Sequence, residues 1–114
     1  LYAPDQDYGF KNSIFIDFFG NKALTVKFPY IAVRRTNCDV YLFSLEKRDH
    51  KYFANFKKLN VFGKNLEEDL RTINFEIEEF IRKNPDNYLW SHRRFKNRPD
   101  GEESFYPNNL LRKR

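Results

Sequence analysis

NPDNYLWSHRRFKNRPDGEESFYP, residues 84–107, gathers the only Trp, one of the two His, four basic residues and three of the five Pro in the sequence. Pro85 lacks an N–H and pushes Asn84 toward extended backbone, so a helix arriving from upstream ends here and a loop follows. Tyr88, Leu89 and Trp90 supply large apolar surface to pin that loop onto a core. His92, Arg93, Arg94, Lys96 and Arg98 crowd positive charge onto the next seven residues. Arg forks bind phosphate or carboxylate through paired hydrogen bonds, so Arg93 and Arg94 beside His92 could hold one anionic group from two sides. The same residues also suit a solvated basic turn paired with Asp86, Asp100, Glu102 and Glu103, which stabilises little.

Upstream of this loop lies the clearest helix. Leu66, Leu70, Ile73, Ile77, Phe80 and Ile81 form one apolar stripe over residues 66–82. Asn65 is placed to cap it with Glu68 three residues on, Glu67 and Asp69 sit at its positive end, and Arg82 and Lys83 at its negative end. Its polar face carries Glu76, Glu78 and Glu79, which argues for packing on a sheet rather than lying on a membrane.

Before the helix, residues 13–19 (SIFIDFF) read as a short buried strand or edge segment, interrupted by Asp17 and closed by Gly20 and Asn21. Pro29 is expected to open a helix, since Pro is tolerated in a first turn. Residues 39–47 and 52–61 read as two strands joined by the polar turn Arg48-Asp49-His50-Lys51. The first is almost continuously apolar, as a buried strand should be, and the second has the character of an edge. His50, at the tip, is expected to be exposed and idle.

At the start, LYAPDQDYG (residues 1–9) begins extended and breaks at Pro4, which places Asp5, Gln6 and Asp7 just past a strand end, where open α/β sheets carry binding groups. Two carboxylates and an amide in three residues could orient a catalytic group, bind a sugar hydroxyl or accept from Arg; an Asx turn satisfying only its own backbone is the plainer reading.

The bulk properties bound the answer. At 114 residues the chain is one domain or less, and 21 Lys plus Arg against 16 Asp plus Glu give a formal charge of +5 and a pI near 9.4, favouring acidic partners without choosing among them. Thirteen Phe and seven Tyr with a mean hydropathy of −0.81 describe a bulky core rather than a membrane span, and no run approaches the ~18 apolar residues a spanning helix needs. The lone Cys38 excludes an internal disulfide and is expected to be buried or half-buried. With only His50 and His92 beside it there is no zinc-ligand spacing. The tail, residues 108–114 (NNLLRKR), reads as basic and mobile, able to touch an anionic membrane or simply to fray.

Two stretches carry a resemblance. The run from Tyr88 to Glu102, YLWSHRRFKNRPDGE, resembles the C-terminal signature of the bacterial late acyltransferases of lipid A biosynthesis, the lauroyl and myristoyl transferases. YAPDQDYG, from Tyr2 to Gly9, is similar to a second motif of that family, in which the Gln position is often His, and Phe18-Phe19-Gly20 resembles a third. The similarity is thin between Thr25 and Asn65, where Phe28-Pro29-Tyr30 stands in place of small residues and only Thr25 matches a Thr-rich run near the acyl-binding region.

The resemblance implies a fold class: α/β, the C-terminal half of a glycerolipid-acyltransferase-like fold, with a mixed sheet and packing helices, so that residues 1–114 form a single partial domain. It implies transfer of an acyl chain from acyl carrier protein, with no further cofactor and no metal, to a hydroxyl of a Kdo-bearing, phosphorylated lipid A precursor. The implied place is the cytoplasmic face of the bacterial inner membrane. Family chemistry rests on His-x4-Asp/Glu, with His as general base. Here the fifth residues after His50 and His92 are Asn55 and Asn97, so the dyad is expected upstream of Leu1 and the chain, taken alone, is expected to be inactive. On this reading Asp5, Gln6 and Asp7 help build the site wall, while His92, Arg93, Arg94, Lys96 and Arg98 meet phosphate or Kdo carboxylate. Those Arg residues could equally be a structural latch that caps strand ends or pairs with Asp5 or Asp7. Partners implied are the anionic glycolipid, acyl carrier protein and the membrane surface, and nucleic acid is not expected. A small basic module binding nucleic acid or an anionic surface accounts for the composition but not for the motifs; a remnant without function accounts for the missing dyad.

Overall fold

A computed structural model describes residues 1–107. The chain is α/β, built from two antiparallel hairpins and two helices. β1 (Ser13–Phe18) pairs β2 (Asn21–Val26), α1 spans Phe28–Thr36, β3 (Val40–Arg48) pairs β4 (Lys51–Leu59), and α2 runs Leu66–Lys83 before a single 3₁₀ turn, Pro85–Asn87. The strands form two separate two-stranded sheets, both antiparallel where a mixed sheet was expected. Residues 1–3 make no strand, so Asp5, Gln6 and Asp7 lie in a turn rather than at a strand end.

α2 forms as its pattern predicts. Asn65 accepts from the Glu68 N–H at 3.0 Å, and Pro85 stops the helix one residue after its C-cap, Asn84. Its stripe, Leu70, Ile73, Ile77 and Ile81, packs on Ile16 and Phe18 of β1, Ala23 of β2, Val33 of α1, and Leu59 and Val61. Each such aliphatic, fully buried, stabilises by about 1.5–3 kcal/mol over exposure. Two of the helix's polar residues belong to this buried face. Asp69 accepts from the Phe62 and Gly63 N–H groups at 3.1 and 2.7 Å, fixing the incoming loop. That loop approaches α1 so closely that a Cβ on Gly63, whose φ is +67°, would sit 2.7 Å from the Arg34 backbone nitrogen.

β2 is the element that sequence patterning did not single out. Its Ala23-Leu24-Thr25-Val26 run has no period-2 alternation because all four residues are buried, so both of its faces are covered. Asp17 interrupts β1 harmlessly, since its register partner is Lys22 and the two form an ion pair at 2.8 Å. The turn Phe19-Gly20 has positive φ at both residues, the geometry that matches strand twist in a two-residue hairpin. Phe19 is an unfavoured residue there. Its N–H donates to Glu78 Oε1 at 2.8 Å, and its ring lies under the Arg82 guanidinium and edge-on to Phe18, so α2 holds the turn in place.

The β3–β4 hairpin forms where two strands and a polar turn were predicted and β4 is an edge, but β3 is not the buried strand expected. β3 alternates half-buried and exposed residues, and β4 is exposed along its length except for Leu59. Only Val40, Leu42 and Leu59 at its root reach the core. α1 begins at Phe28 with Pro29 in its first turn, and ends at Asn37 in the left-handed conformation. Cys38, expected to be at least half-buried, follows that turn and is exposed. His50 is exposed, as expected. The 108–114 tail lies outside the described residues. Among those described, no helix is long and apolar enough to cross a membrane, and no cluster of His, Cys, Asp and Glu is set to hold a metal.

Candidate functional site

The two ends of the described chain meet. Asp7, 3% exposed, stands at the centre of the junction. Its own N–H donates to His92 Nε2 at 2.8 Å, and its carboxylate accepts from the Asn97 side-chain amide at 2.9 and 3.0 Å and from the Gly9 N–H at 2.8 Å. The Gly9 contact is the Asx turn expected of this stretch, but the same carboxylate also reaches 90 residues along the chain. Because His92 Nε2 accepts, the imidazole is neutral with its proton on Nδ1. Burial, reinforced by the charges of Lys96 and Arg94, lowers the His92 pKa and favours that form.

Arg94 does not join Arg93 around an anion. It is 2% exposed and points into the core, where it donates to the Leu24 carbonyl and, at 3.1 Å, to Thr25 Oγ1, with Phe18 beneath its guanidinium. Arg98 donates to the Lys22 carbonyl, pairs with Glu102, and stacks on Phe105 at 4.1 Å. Carbonyls two residues apart on a strand point to the same edge, and for Lys22 and Leu24 this is the edge that β1 leaves open. Two guanidiniums thus close the free edge of β2 in place of a third strand. A latch was expected to cap strand ends or to pair with Asp5 or Asp7; Arg94 and Arg98 instead bind carbonyls along a strand edge, and neither forms an ion pair with Asp5 or Asp7. Of the acids that a solvated basic turn would use, only Glu102 is engaged by this loop.

A buried polar chain runs on from Arg94. Thr25 Oγ1 accepts from Arg94 and from the Asn74 side-chain amide at 3.1 Å and donates to the Ala23 carbonyl, while Asn74 also donates to the Asp17 carbonyl. Asn74 and Asn97 were missed as members of this junction. Asn74 had left a signal: it falls four residues after Leu70 and three before Ile77, on the core stripe, where an amide must find partners.

The loop is anchored by fewer residues than expected. Tyr88 and Phe95 pack on the core, whereas Leu89 and Trp90 are exposed; Trp90 instead donates to the Pro85 carbonyl at 2.6 Å and meets Tyr88 edge-on. The Tyr88 hydroxyl makes a long 3.5 Å contact to the Asp5 carbonyl. Burial, with the Asp5 charge adding and Arg94 opposing, pushes its pKa up to about 12, so it stays a donor.

The eight candidate residues therefore divide. Asp7, His92, Arg94 and Arg98 are committed to the protein's own backbone and side chains. Asp5, Gln6, Arg93 and Lys96 lie on the same two stretches, half-buried, and their side chains make no hydrogen bond or ion pair among the described residues.

The DQD turn and the HRRFKNR loop are thus tied together in space. The chain belongs to the bacterial lipid A biosynthesis acyltransferase family, which it matches over residues 1–97. In particular, it is similar to the lipid A biosynthesis palmitoleoyltransferase of Escherichia coli (strain K12), 36% identical over 109 residues, covering 92% of this chain and 36% of that protein. It is also similar to the lipid A biosynthesis lauroyltransferase of the same strain, 33% identical with the same coverage. A lipid A biosynthesis acyltransferase of Haemophilus influenzae is 33% identical over 105 residues, 87% of this chain and 34% of that protein. The chain spans about a third of the length of the curated relatives it matches.

Proposed function

We propose that this chain is the C-terminal part of an enzyme that moves an acyl chain from acyl carrier protein to a hydroxyl of a Kdo-bearing, phosphorylated lipid A precursor at the inner membrane's cytoplasmic face. The single observation that carries the reading is the junction: two family motifs, some 85 residues apart, are held together through Asp7, His92 and Asn97. The general base, a His-x4-Asp/Glu pair, belongs on this reading to a part of the domain outside residues 1–114. Its His takes the hydroxyl proton as the oxygen attacks the thioester carbonyl; the C–S bond then breaks as the ester forms, and the His returns the proton to the departing thiol of acyl carrier protein.

This chain's own residues supply the wall of that site. Arg93 and Lys96 carry charge that no carboxylate of the described chain neutralises, and a guanidinium beside an ammonium suits a phosphate or a Kdo carboxylate. Asp5 and Gln6 offer acceptors and an amide for sugar hydroxyls across the junction. Asp7, His92, Arg94 and Arg98 hold these groups at fixed spacing, the role of a supporting shell.

The test is a chimera in which this chain replaces the matching segment of the palmitoleoyltransferase relative. Membranes carrying it, given acyl-acyl carrier protein and the Kdo-bearing precursor, should produce a glycolipid heavier by one acyl chain, and the 114-residue chain alone should not. A folded chimera that leaves the precursor's mass unchanged would refute the reading.

A further inference from the structure

The β3–β4 hairpin takes no part in the junction. Its register places Tyr41, Phe43, Leu45 and Lys47 of β3 on one face with Lys58, Phe56, Ala54 and Tyr52 of β4. The five large apolar residues of this outer face are 41–70% exposed, and Phe43 and Phe56 pack directly across the strands at 5.1 Å. The opposite face behaves differently. At its root Val40, Leu42 and Leu59 pack on the core, and Lys57 pairs with Glu76 of α2.

The outer face of β3 is thus apolar through Tyr41, Phe43 and Leu45 with no layer over it, whereas its inner face is apolar only at Val40 and Leu42, where the core covers it. An apolar sheet face packs against another layer, and a lone two-stranded hairpin is marginal in water. The relatives matched by this chain have about two-thirds of their length beyond the 36% it covers. Resting on the acyltransferase reading above, we propose that the outer face is the floor on which that remaining part of the domain lays an amphipathic helix. Its apolar stripe would cross Phe43 and Phe56, and a carboxylate would face Lys47. α2 already covers the root of the inner face in this way.

The face fits a protein layer better than a lipid surface. Lys58 is already paired with Asp39, which leaves Lys47 as the one cation of the face free of a carboxylate among the described residues. An anionic membrane gains only about 1 kcal/mol per basic residue at its surface. The apolar residues also lie along the middle of the hairpin, while its tip, Arg48-Asp49-His50-Lys51, is charged and forms no apolar wedge.

Hydroxyl-radical footprinting of the 114-residue chain and of the chimera described above tests this. In the chain, Tyr41, Phe43, Tyr52 and Phe56 should oxidise many-fold faster than buried Phe18; in the chimera they should fall to the Phe18 rate. A chimera that transfers acyl chains while these residues oxidise as fast as in the chain overturns the docking proposal and leaves the function standing. Protection in an inactive chimera supports the docking and refutes the function. Protection of the chain alone by anionic vesicles, by a single-stranded oligonucleotide or by raised protein concentration overturns the proposal in favour of that occupant. Independently, Phe43→Ser with Phe56→Ser should leave the Tm of the chain unchanged and lower that of the chimera by about 5 °C or more, whereas equal effects would contradict it.

Discussion

β2 and β3 are both apolar strands of two-stranded hairpins, yet β2 is buried on both faces and β3 on part of one. The difference is what arrives at each. β2 receives α2 and Asn74 on one side, and its open edge receives two guanidiniums from the residue 92–98 loop. β3 receives only α2 at its root. A small sheet can therefore be finished by side chains where a basic loop folds back on it, and stays unfinished where none does.

The largest effect that would break this contrast is at Arg94. Arg94→Ala strands the Leu24 carbonyl in the core, where an unsatisfied group costs about 1–3 kcal/mol, takes one of two donors from Thr25 Oγ1 and leaves a cavity where the guanidinium lay on Phe18. Thermal melts followed by circular dichroism should show much or all of the cooperative transition lost, and Lys at this position should rescue little because it lacks the planar fork. Phe43→Ala on the hairpin, by contrast, should stay within about 0.5 kcal/mol of the parent chain. Similar losses at the two positions would erase the distinction.

Asp7→Ala should come next. It removes the acceptor for Gly9 and Asn97 and leaves the residue 7 N–H to His92 as the remaining hydrogen bond of that junction, at an expected cost of about 2–4 kcal/mol in urea unfolding. Exchange of the Gly9 and Asn97 amides should rise well above that of α2. If α2 loosens equally, the junction is not a separate unit.

Gly63→Ala should cost about 1–3 kcal/mol, through both the left-handed backbone and the collision with α1 at Arg34. This sharpens the contrast from outside it, since the loop is sealed by backbone proximity rather than by side chains.

The smallest effect is a pH dependence. Folding lowers the His92 pKa, so the folded chain binds fewer protons there than the unfolded chain near the ordinary value of about 6.5. The contribution is fully present above that value, begins to be lost below it as the unfolded chain takes up the proton, and is gone once pH falls through the lowered folded value, where protonated Nε2 can no longer accept from the Asp7 N–H. Melting temperature should decline on acidification from pH 7.5 to 5.5 more steeply in the parent than in a His92→Gln variant. Parallel profiles would remove His92 from the junction.

How much of this was legible in the sequence follows from the range of the interactions. α2, its cap and its stop were readable because Asn65, the apolar stripe and Pro85 act within a few residues of one another. The importance of the Asp5–Asp7 turn and the residue 92–98 loop was readable from residue chemistry and motif wording. Their internal division was not: whether Arg93 or Arg94 points inward depends on β2, about 70 residues away. β2 itself was hidden because burial of both faces erases the alternation that marks a strand. β3 misled for the opposite reason, since its sequence is suited to a covered strand and its outer face is open.

The central claim is that one half of the basic loop holds the fold while the other half faces the ligand. Acyl-transfer kinetics of the chimera with Arg93→Ala and Lys96→Ala, read beside its melting temperature, test it most directly. The expected result is a raised KM for the phosphorylated glycolipid with an unchanged Tm. An unchanged KM, or a Tm lowered as far as Arg94→Ala lowers it, would contradict the division and make the whole loop a latch.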